Sequence, residues 1–214
     1  MNMKQRKNLI RATMLLLAFV LWTIAVFVID VQSAGPNGSN IGFATVNLRF
    51  HSFTGVHMWL YTVTDWLSIL PLAIIMVFAV LGLMQWIKRK NLLLVDRSIL
   101  ILGGFYIAVM AVFLFFEFYV VNHRPVLIEG VLEVSYPSST TMLVMCVLPT
   151  AVLQLKSRIP NPQTGKLICC ALTIFGIFMV IARLASGVHW LTDIIGGIWV
   201  SSSLVTYYRA LTEQ

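Results

Sequence analysis

The stretch Ile69-Leu-Pro-Leu-Ala-Ile-Ile-Met-Val-Phe-Ala-Val-Leu-Gly-Leu-Met-Gln-Trp-Ile87 is followed at once by Lys88-Arg89-Lys90. A helix of about 20 apolar residues is long enough to cross the hydrocarbon core of a bilayer, and a cationic group marks its return to water. The chain of 214 residues is 59% hydrophobic and 11% charged, far from the balance of a soluble protein. The sequence therefore predicts an integral membrane protein of the all-α class.

Six apolar runs divide the chain, and the length suits one domain. They cover residues 9–31, 59–87, 98–121, 137–155, 167–184 and 190–208. Between the first two runs, the apolar residues within 43–53 are spaced as in a short helix lying in the membrane interface. We expect a six-transmembrane-helix bundle with this short interfacial helix, formed as a single domain by residues 1–214 and embedded in the lipid bilayer.

Lysine and arginine residues are concentrated in alternate loops. Four lie at the amino terminus, four follow the second span, three follow the fourth and one lies in the tail, whereas the first, third and fifth loops carry one each: Arg49, Arg124 and Arg183. By the positive-inside rule both termini are cytoplasmic and these three loops face outward. The same distribution explains the net charge of +7, so a nucleic-acid partner is not expected.

The outward loop before the last span reads Arg183-Leu-Ala-Ser-Gly-Val-His189-Trp-Leu-Thr-Asp193. In a helix beginning after Gly187, His189 and Asp193 share a face because they are four residues apart. Asp193 could accept the proton on one ring nitrogen, which leaves the other nitrogen free to attack an electrophile. The planar donors of Arg183 suit phosphate oxygens. The alternative is a membrane-interface cluster in which these three side chains simply contact water.

Two further stretches lie on the same predicted outer side of the membrane. Arg124-Pro125 follows the third span, and Tyr136-Pro137-Ser138-Ser139-Thr140-Thr141 opens the fourth. The free backbone N–H groups at Ser138 to Thr140, with their hydroxyls, would make an anion site at a helix start. The same residues would equally make an ordinary capped helix start.

In order and spacing, the three stretches resemble the type 2 phosphatidic acid phosphatase family of membrane phosphatases and their haloperoxidase relatives. The family pattern is Lys-x6-Arg-Pro, then Pro-Ser-Gly-His, then Ser-Arg-x5-His-x3-Asp. The third element is present from Arg183 to Asp193, although Ala182 stands at the serine position. The first survives as Arg124-Pro125 and the second as Pro137-Ser138. The resemblance extends from about residue 43 to the end, with its motifs within residues 117–193.

The resemblance implies a phosphohydrolase that needs neither a metal nor another cofactor. His189 would attack phosphorus to form a phosphohistidine, which water then hydrolyses, and Asp193 would orient His189. The phosphoryl oxygens would be bound by Arg124, by Arg183 and by the helix start at Ser138, Ser139 and Thr140. Its substrate would be a phospholipid or a polyprenyl diphosphate entering laterally from the bilayer, and its site would face outward.

Two positions depart from the family pattern. Glu117 occupies the lysine position, and Thr140 occupies the position of the histidine that acts as general acid. Glu117 would either pair with Arg124 or Arg183, the interpretation we favour, or stay protonated through burial. His123, adjacent to Arg124, is a second possible proton donor. Without that acid an alkoxide leaves poorly, whereas a phosphate monoester leaves easily, so a lipid diphosphate would be least affected.

The same two departures support an alternative from another class. A catalytically impaired relative could keep the pocket in order to bind phospholipid headgroups or a partner protein. A phosphotransferase that passes the phosphoryl group from histidine to an alcohol is a third hypothesis.

Overall fold

The computed structural model describes residues 2–212, and this part of the chain is helical without β-strands. Three isolated bridges in loops are its only β-type pairings. The all-α class is therefore confirmed. The α-helices are α1 Met3–Val28, α2 Ala44–Thr54, α3 Met58–Leu67, α4 Ile69–Arg89, α5 Arg97–Phe118, α6 Ser139–Lys156, α7 Pro162–Ala185 and α8 Leu191–Thr212.

Five helical segments among the described residues are long and apolar enough to cross a membrane. They are α1, α3 together with α4, α5, α6 and α7. Many of their large apolar side chains are exposed, as expected where a helix faces lipid. This pattern supports a multi-pass integral membrane protein. Helix α8 is not among the five, and its sequence includes Asp193, two glycines and the serine run 201–203.

The predicted second span consists of two helices that meet at Ser68. The cause is local, because Pro71 has no N–H with which to continue the ladder to residue 67. At the junction, the Ser68 N–H is shared between the carbonyl oxygens of Thr64 and Asp65, both at 3.1 Å. The separate helix α3 can thus present its own polar face toward α7, against which it packs.

Helix α8 packs mainly against α1 and α6, and small residues allow the close approach. A Cβ atom on Gly196 would lie 2.6 Å from Cε2 of Tyr136, and Tyr136 itself is 1% exposed. The Tyr136 ring stacks on Phe19 of α1, with ring centroids 6.3 Å apart. Gly196 thus provides the space in which the loop before α6 is held between α1 and α8.

Four segments meet at one end of the bundle: the connections α2–α3, α5–α6 and α7–α8, and the start of α6. The α5–α6 loop folds back on itself, since the Arg124 N–H bonds Glu133 O at 3.0 Å and the Ser135 N–H bonds Asn122 O at 3.0 Å. Gly187 has φ +69°, and a Cβ there would lie 2.0 Å from the Gly55 carbonyl oxygen. Only glycine allows the α7–α8 loop to approach the α2–α3 connection this closely.

Replacing Gly196 by alanine should destabilise the protein, because the added methyl group would overlap the Tyr136 ring. Overpacking of this kind costs about 1–3 kcal/mol, so we expect a lower thermal midpoint in detergent. Gly103→Ala in α5 is the matched control, since no heavy atom lies within 4 Å of its added Cβ. Equal midpoints for the two variants would contradict this account of α8 packing.

Candidate active site

His189 lies at the centre of the end where the loops meet, and it is 3% exposed. Its Nδ1 is 3.1 Å from the Ser135 carbonyl oxygen, an acceptor, so Nδ1 carries the hydrogen. Nε2 therefore keeps its lone pair, which accepts a hydrogen bond from Nη1 of Arg124 at 3.2 Å. Burial, followed by the charges of Arg124 and Arg183, holds the pKa of His189 well below its ordinary value. The ring is therefore neutral, and the lone pair of Nε2 faces a guanidinium.

Asp193 stands behind the ring but is not its hydrogen-bond acceptor. Its Oδ2 is 3.7 Å from His189 Nδ1 and accepts from the Trp190 N–H at 3.0 Å. Its Oδ1 accepts from Asn122 Nδ2 at 3.1 Å. The sequence predicted a direct bond to the ring, whereas the carbonyl of Ser135 takes that role. The carboxylate instead caps the first turn of α8, where backbone N–H groups need acceptors.

Arg124 and Arg183 both lie over one aromatic ring. The guanidinium carbons lie 5.7 Å and 4.6 Å from the centroid of the Tyr61 ring, respectively. Nη1 of Arg183 also donates to Thr64 Oγ1 at 3.1 Å. Tyr61 and Thr64 are three residues apart on α3, so one helix face fixes the positions of both arginines.

The positive charge of this pair is not balanced. Nε of Arg124 pairs with the Glu133 carboxylate at 2.9 Å, and that side chain is 40% exposed. Among the described residues Arg183 is in no ion pair, and its buried Nε has no hydrogen-bond partner. Since Arg183 is 2% exposed, an unpaired charge there is costly unless an anion completes the site. The two arginines thus place positive charge beside Nε2 of His189, an arrangement suited to a phosphoryl group.

The start of α6 serves two purposes. The Ser138 N–H bonds the Asp193 carbonyl oxygen at 3.1 Å, and Ser138 Oγ accepts from the Thr141 N–H at 3.5 Å. The expectation of a free N–H at Ser138 is therefore wrong, because that group joins α6 to α8. The first-turn N–H groups of Ser139 and Thr140 stay directed out of the helix. Ser139 lines the same small cavity as His189.

The predicted ion pair of Glu117 with an arginine is not formed. Glu117 is exposed and takes part in no ion pair among residues 2–212, although it lines the small cavity with His189. Its exposure also argues against protonation through burial. Arg124 pairs with Glu133 because the folded-back loop places the two backbones side by side.

His123 faces away from the cavity of His189. It lines a separate cavity with residues of α1 and of the α1–α2 connection, and its carbonyl oxygen accepts from Trp190 Nε1 at 2.7 Å. The structure thus does not bring this predicted accessory residue to His189.

Sequence reasoning did not identify the residues that support the site. They are Tyr61, Thr64, Asn122, Glu133 and Ser135. One signal was available, since Tyr61, Thr64 and Asp65 have the spacing of a single helix face within an apolar run. The others act through a backbone carbonyl or through a loop fold, neither of which has a sequence pattern.

An apolar groove of about 400 Å³ begins beside the site. Asp65, Ser68, Ser139 and Thr140 line one end, and apolar side chains of α4, α5 and α6 line the rest. It shares Ile75 and Tyr106 with a second groove of about 450 Å³, which continues between α4 and α5 toward residues 92–95. The small cavity lined by His189 shares Phe113, Ser139 and Met142 with the first of these grooves.

Comparison with known proteins agrees with this geometry. Residues 117–213, which include every residue of the three motifs, match the family model of the PAP2 superfamily. Over that stretch the chain is similar to members of this superfamily. Its fold is similar to the crystal structure of the transmembrane PAP2-type phosphatidylglycerolphosphate phosphatase from Bacillus subtilis, with a TM-score of 0.59, 19% identity and 93% of each chain covered. No curated protein matched in the corresponding sequence comparison.

Orthovanadate, a phosphate-like anion, should raise the thermal midpoint of the purified protein because it supplies the charge that Arg183 lacks. At about 100 times its Kd, such a ligand adds about 2.7 kcal/mol to the free energy of unfolding. Arg183→Gln should abolish the shift. Arg49→Gln, which removes an exposed arginine from α2, should retain it. A full shift in the Arg183 variant would contradict an anion site at this position.

His189 should make the protein less stable in acid. Because its pKa is lowered in the folded state, the unfolded chain binds the extra proton as pH falls below about 6.5. The free energy of unfolding therefore decreases below that pH, while above it the ring contributes nothing to the slope. His189→Gln should flatten the decline in thermal midpoint measured from about pH 7 to about pH 5. The exposed His57→Gln is the control, and an unchanged slope in His189→Gln would contradict a buried neutral ring.

Proposed function

We propose that this protein is a lipid phosphatase that hydrolyses a phosphate or diphosphate headgroup through a phosphohistidine intermediate. The observation that carries the proposal is the neutral Nε2 of His189, which faces one buried guanidinium while a second, that of Arg183, is in no ion pair among the described residues. The match of residues 117–213 to the PAP2 superfamily model supports phosphatase chemistry in general. The similar Bacillus subtilis protein is itself a phosphatidylglycerolphosphate phosphatase.

In the proposed reaction, the phosphoryl group enters between Arg124 and His189. It accepts the hydrogen bond that Nη1 of Arg124 donates to Nε2 of His189 in the free protein. Arg124, Arg183 and the first-turn N–H groups of Ser139 and Thr140 bind its oxygens. Nε2 attacks phosphorus as the bond to the leaving oxygen breaks, which yields phosphohistidine. Water then attacks phosphorus, the N–P bond breaks, and phosphate leaves while His189 returns to its neutral form.

The electrostatic requirements of this reaction fit the site. Phosphoryl transfer depends mainly on positioned positive charge around the equatorial oxygens and on an in-line nucleophile. Tyr61 holds both guanidiniums before substrate arrives, so little reorganisation is needed. Asp193 acts indirectly: it caps the start of α8 and lies close enough to stabilise positive charge on the ring.

The proposed membrane arrangement completes six crossings with α8. A smaller share of its residues is apolar than in the other five segments. It is surrounded by α1, α5 and α6, however, and therefore meets little lipid. Helix α2 would lie in the interface, both termini in the cytoplasm and the site at the outer face. A lipid would enter laterally and leave its tail in the apolar groove between α4 and α5.

The leaving group decides which headgroups react. A lipid diphosphate releases a phosphate monoester, whose second pKa is about 6, and needs no proton donor. A lipid monophosphate releases an alkoxide, which does need one. A polyprenyl diphosphate is therefore the least demanding substrate, and phosphatidic-acid-like lipids require an additional acid.

Purified protein should release inorganic phosphate from a polyprenyl diphosphate in detergent, and His189→Ala should reduce the rate at least about 10³-fold because the nucleophile is lost. Asp96→Asn, at the opposite end of the bundle, should retain activity if the variant stays folded. Acid quenching with a ³²P-labelled substrate should trap labelled wild-type protein but not His189→Ala.

Other outcomes identify the other hypotheses. Labelled substrate that binds without a covalent intermediate and without phosphate release indicates a headgroup-binding protein. Transfer of the label to added glycerol in preference to water indicates a phosphotransferase. Phosphate release that persists in His189→Ala contradicts the mechanism.

A further inference from the structure

A groove of about 350 Å³ lies beside α6, lined by residues of α6, α7 and α8. Helices α7 and α8 both pack against α6 but contact each other only slightly, so the space beside α6 stays open. Its described lining includes neither His189 nor the two arginines of the candidate active site, Arg124 and Arg183. It is therefore a feature of the bundle that the proposed reaction does not use.

The groove is mostly apolar but has two cations at one end. Lys156 is the last residue of α6, and Arg209 lies in the last turn of α8; both side chains line the groove. Both helices begin at the end of the bundle that holds His189, so the cations mark the opposite end. By contrast, the described lining of the larger α4–α5 groove includes no charged side chain. Positive charge is thus particular to the groove beside α6.

The length of this groove matches one leaflet of a bilayer. It extends along α6 from Val144 to Lys156, which is about 18 Å at 1.5 Å per residue. Half of the hydrocarbon core of a bilayer is about 15 Å thick. An acyl chain that ends near Val144 would therefore have its headgroup beside Lys156 and Arg209.

The charge at this end calls for an anion. The side chains of Lys156 and Arg209 are exposed, and Lys156 takes part in no ion pair among residues 2–212. Asp96, at the same end of the bundle, pairs with Arg89 and Arg158. A cation at the membrane surface attracts anionic lipid headgroups, and here the adjoining surface is an apolar groove.

We propose that the groove beside α6 binds an anionic phospholipid from the leaflet at that end of the bundle. One acyl chain lies along α6, and the phosphate contacts Lys156 and Arg209. The lipid is a resident ligand and not a substrate, since the groove lies at the opposite end from His189. It fills the space between α7 and α8 and stabilises the folded protein, as a ligand of the native state does.

A simpler explanation exists for cations at this end. Lysine and arginine are favourable at helix C-termini and are common in cytoplasmic loops, with or without a bound lipid. Lys88 near the end of α4 and Lys166 near the start of α7 are exposed at the same end, and neither lines the groove. These two lysines provide a control with the same change in charge.

Native mass spectrometry of the purified protein in detergent, titrated with lipid, measures the site directly. The wild-type protein should bind dioleoyl phosphatidylglycerol in preference to dioleoyl phosphatidylcholine, whose headgroup has no net charge. Lys156→Gln combined with Arg209→Gln should weaken phosphatidylglycerol binding about tenfold or more, because both headgroup cations are lost. Lys88→Gln combined with Lys166→Gln should weaken it less than about threefold, because general surface charge contributes little.

A second pair of variants tests the apolar part of the site. Thr173→Trp places a large ring in the groove and should also weaken phosphatidylglycerol binding. Ile174→Trp adds the same ring at the neighbouring exposed position, which does not line the groove, and should leave binding at the wild-type level. Glycerol phosphate has the anionic group without acyl chains and should not displace the lipid. A cooperative unfolding transition in lipid-free detergent shows that each variant is folded.

Several results would overturn this site. They are equal binding of the two phospholipids, equal losses in the two double variants, full binding in Thr173→Trp, and displacement by glycerol phosphate. Each is read from lipid binding and not from phosphate release, so none of them bears on the proposed function. Failure of the phosphatase assays would likewise leave this lipid site standing.

Discussion

The structure depends on two guanidinium groups that are buried at one end of a membrane bundle. Taking such a charge out of water costs on the order of several kcal/mol unless it is compensated. Arg124 is compensated by Glu133, whereas Arg183 is in no ion pair among residues 2–212 and lies against Thr64 and the Tyr61 ring. In the proposed function, a dianionic headgroup completes this electrostatic site.

The surrounding helices can be understood as the means of keeping this arrangement in place. Asp193 joins the start of α8 to Asn122, and its carbonyl oxygen takes the N–H of Ser138 at the start of α6. Asn47 of α2 bonds Thr192 Oγ1 at 2.9 Å, and Trp22 of α1 bonds the carbonyl of Thr192 at 3.2 Å. Four other segments therefore converge on two consecutive residues of α8. Such convergence keeps the neighbouring His189 ring in one orientation, as catalysis by positioning requires.

The opposite end of the bundle is also tied by polar contacts. Asp96 pairs with Arg89 at 3.2 Å and with Arg158 at 3.3 Å, and Gln154 contacts Tyr208. These interactions connect α4, α5, α6 and α8 without contributing to the pocket. Between the two ends, the α4–α5 groove stays open because these helices pack against each other over only a short length. The result is a bundle with two tied ends and a lateral opening suited to a lipid tail.

The sequence by itself determined the helical membrane class, the short helix before the second span and the presence of His189, Asp193, Arg124 and Arg183. It could do so because hydrophobic runs and residue spacing are properties of neighbouring positions. Tertiary structure decided the partners: Ser135 instead of Asp193 at the imidazole, Glu133 instead of Glu117 at Arg124, and Tyr61 beside both arginines. Those choices depend on how a loop folds back and on which helix face turns inward, and both are set by packing among residues far apart in the chain.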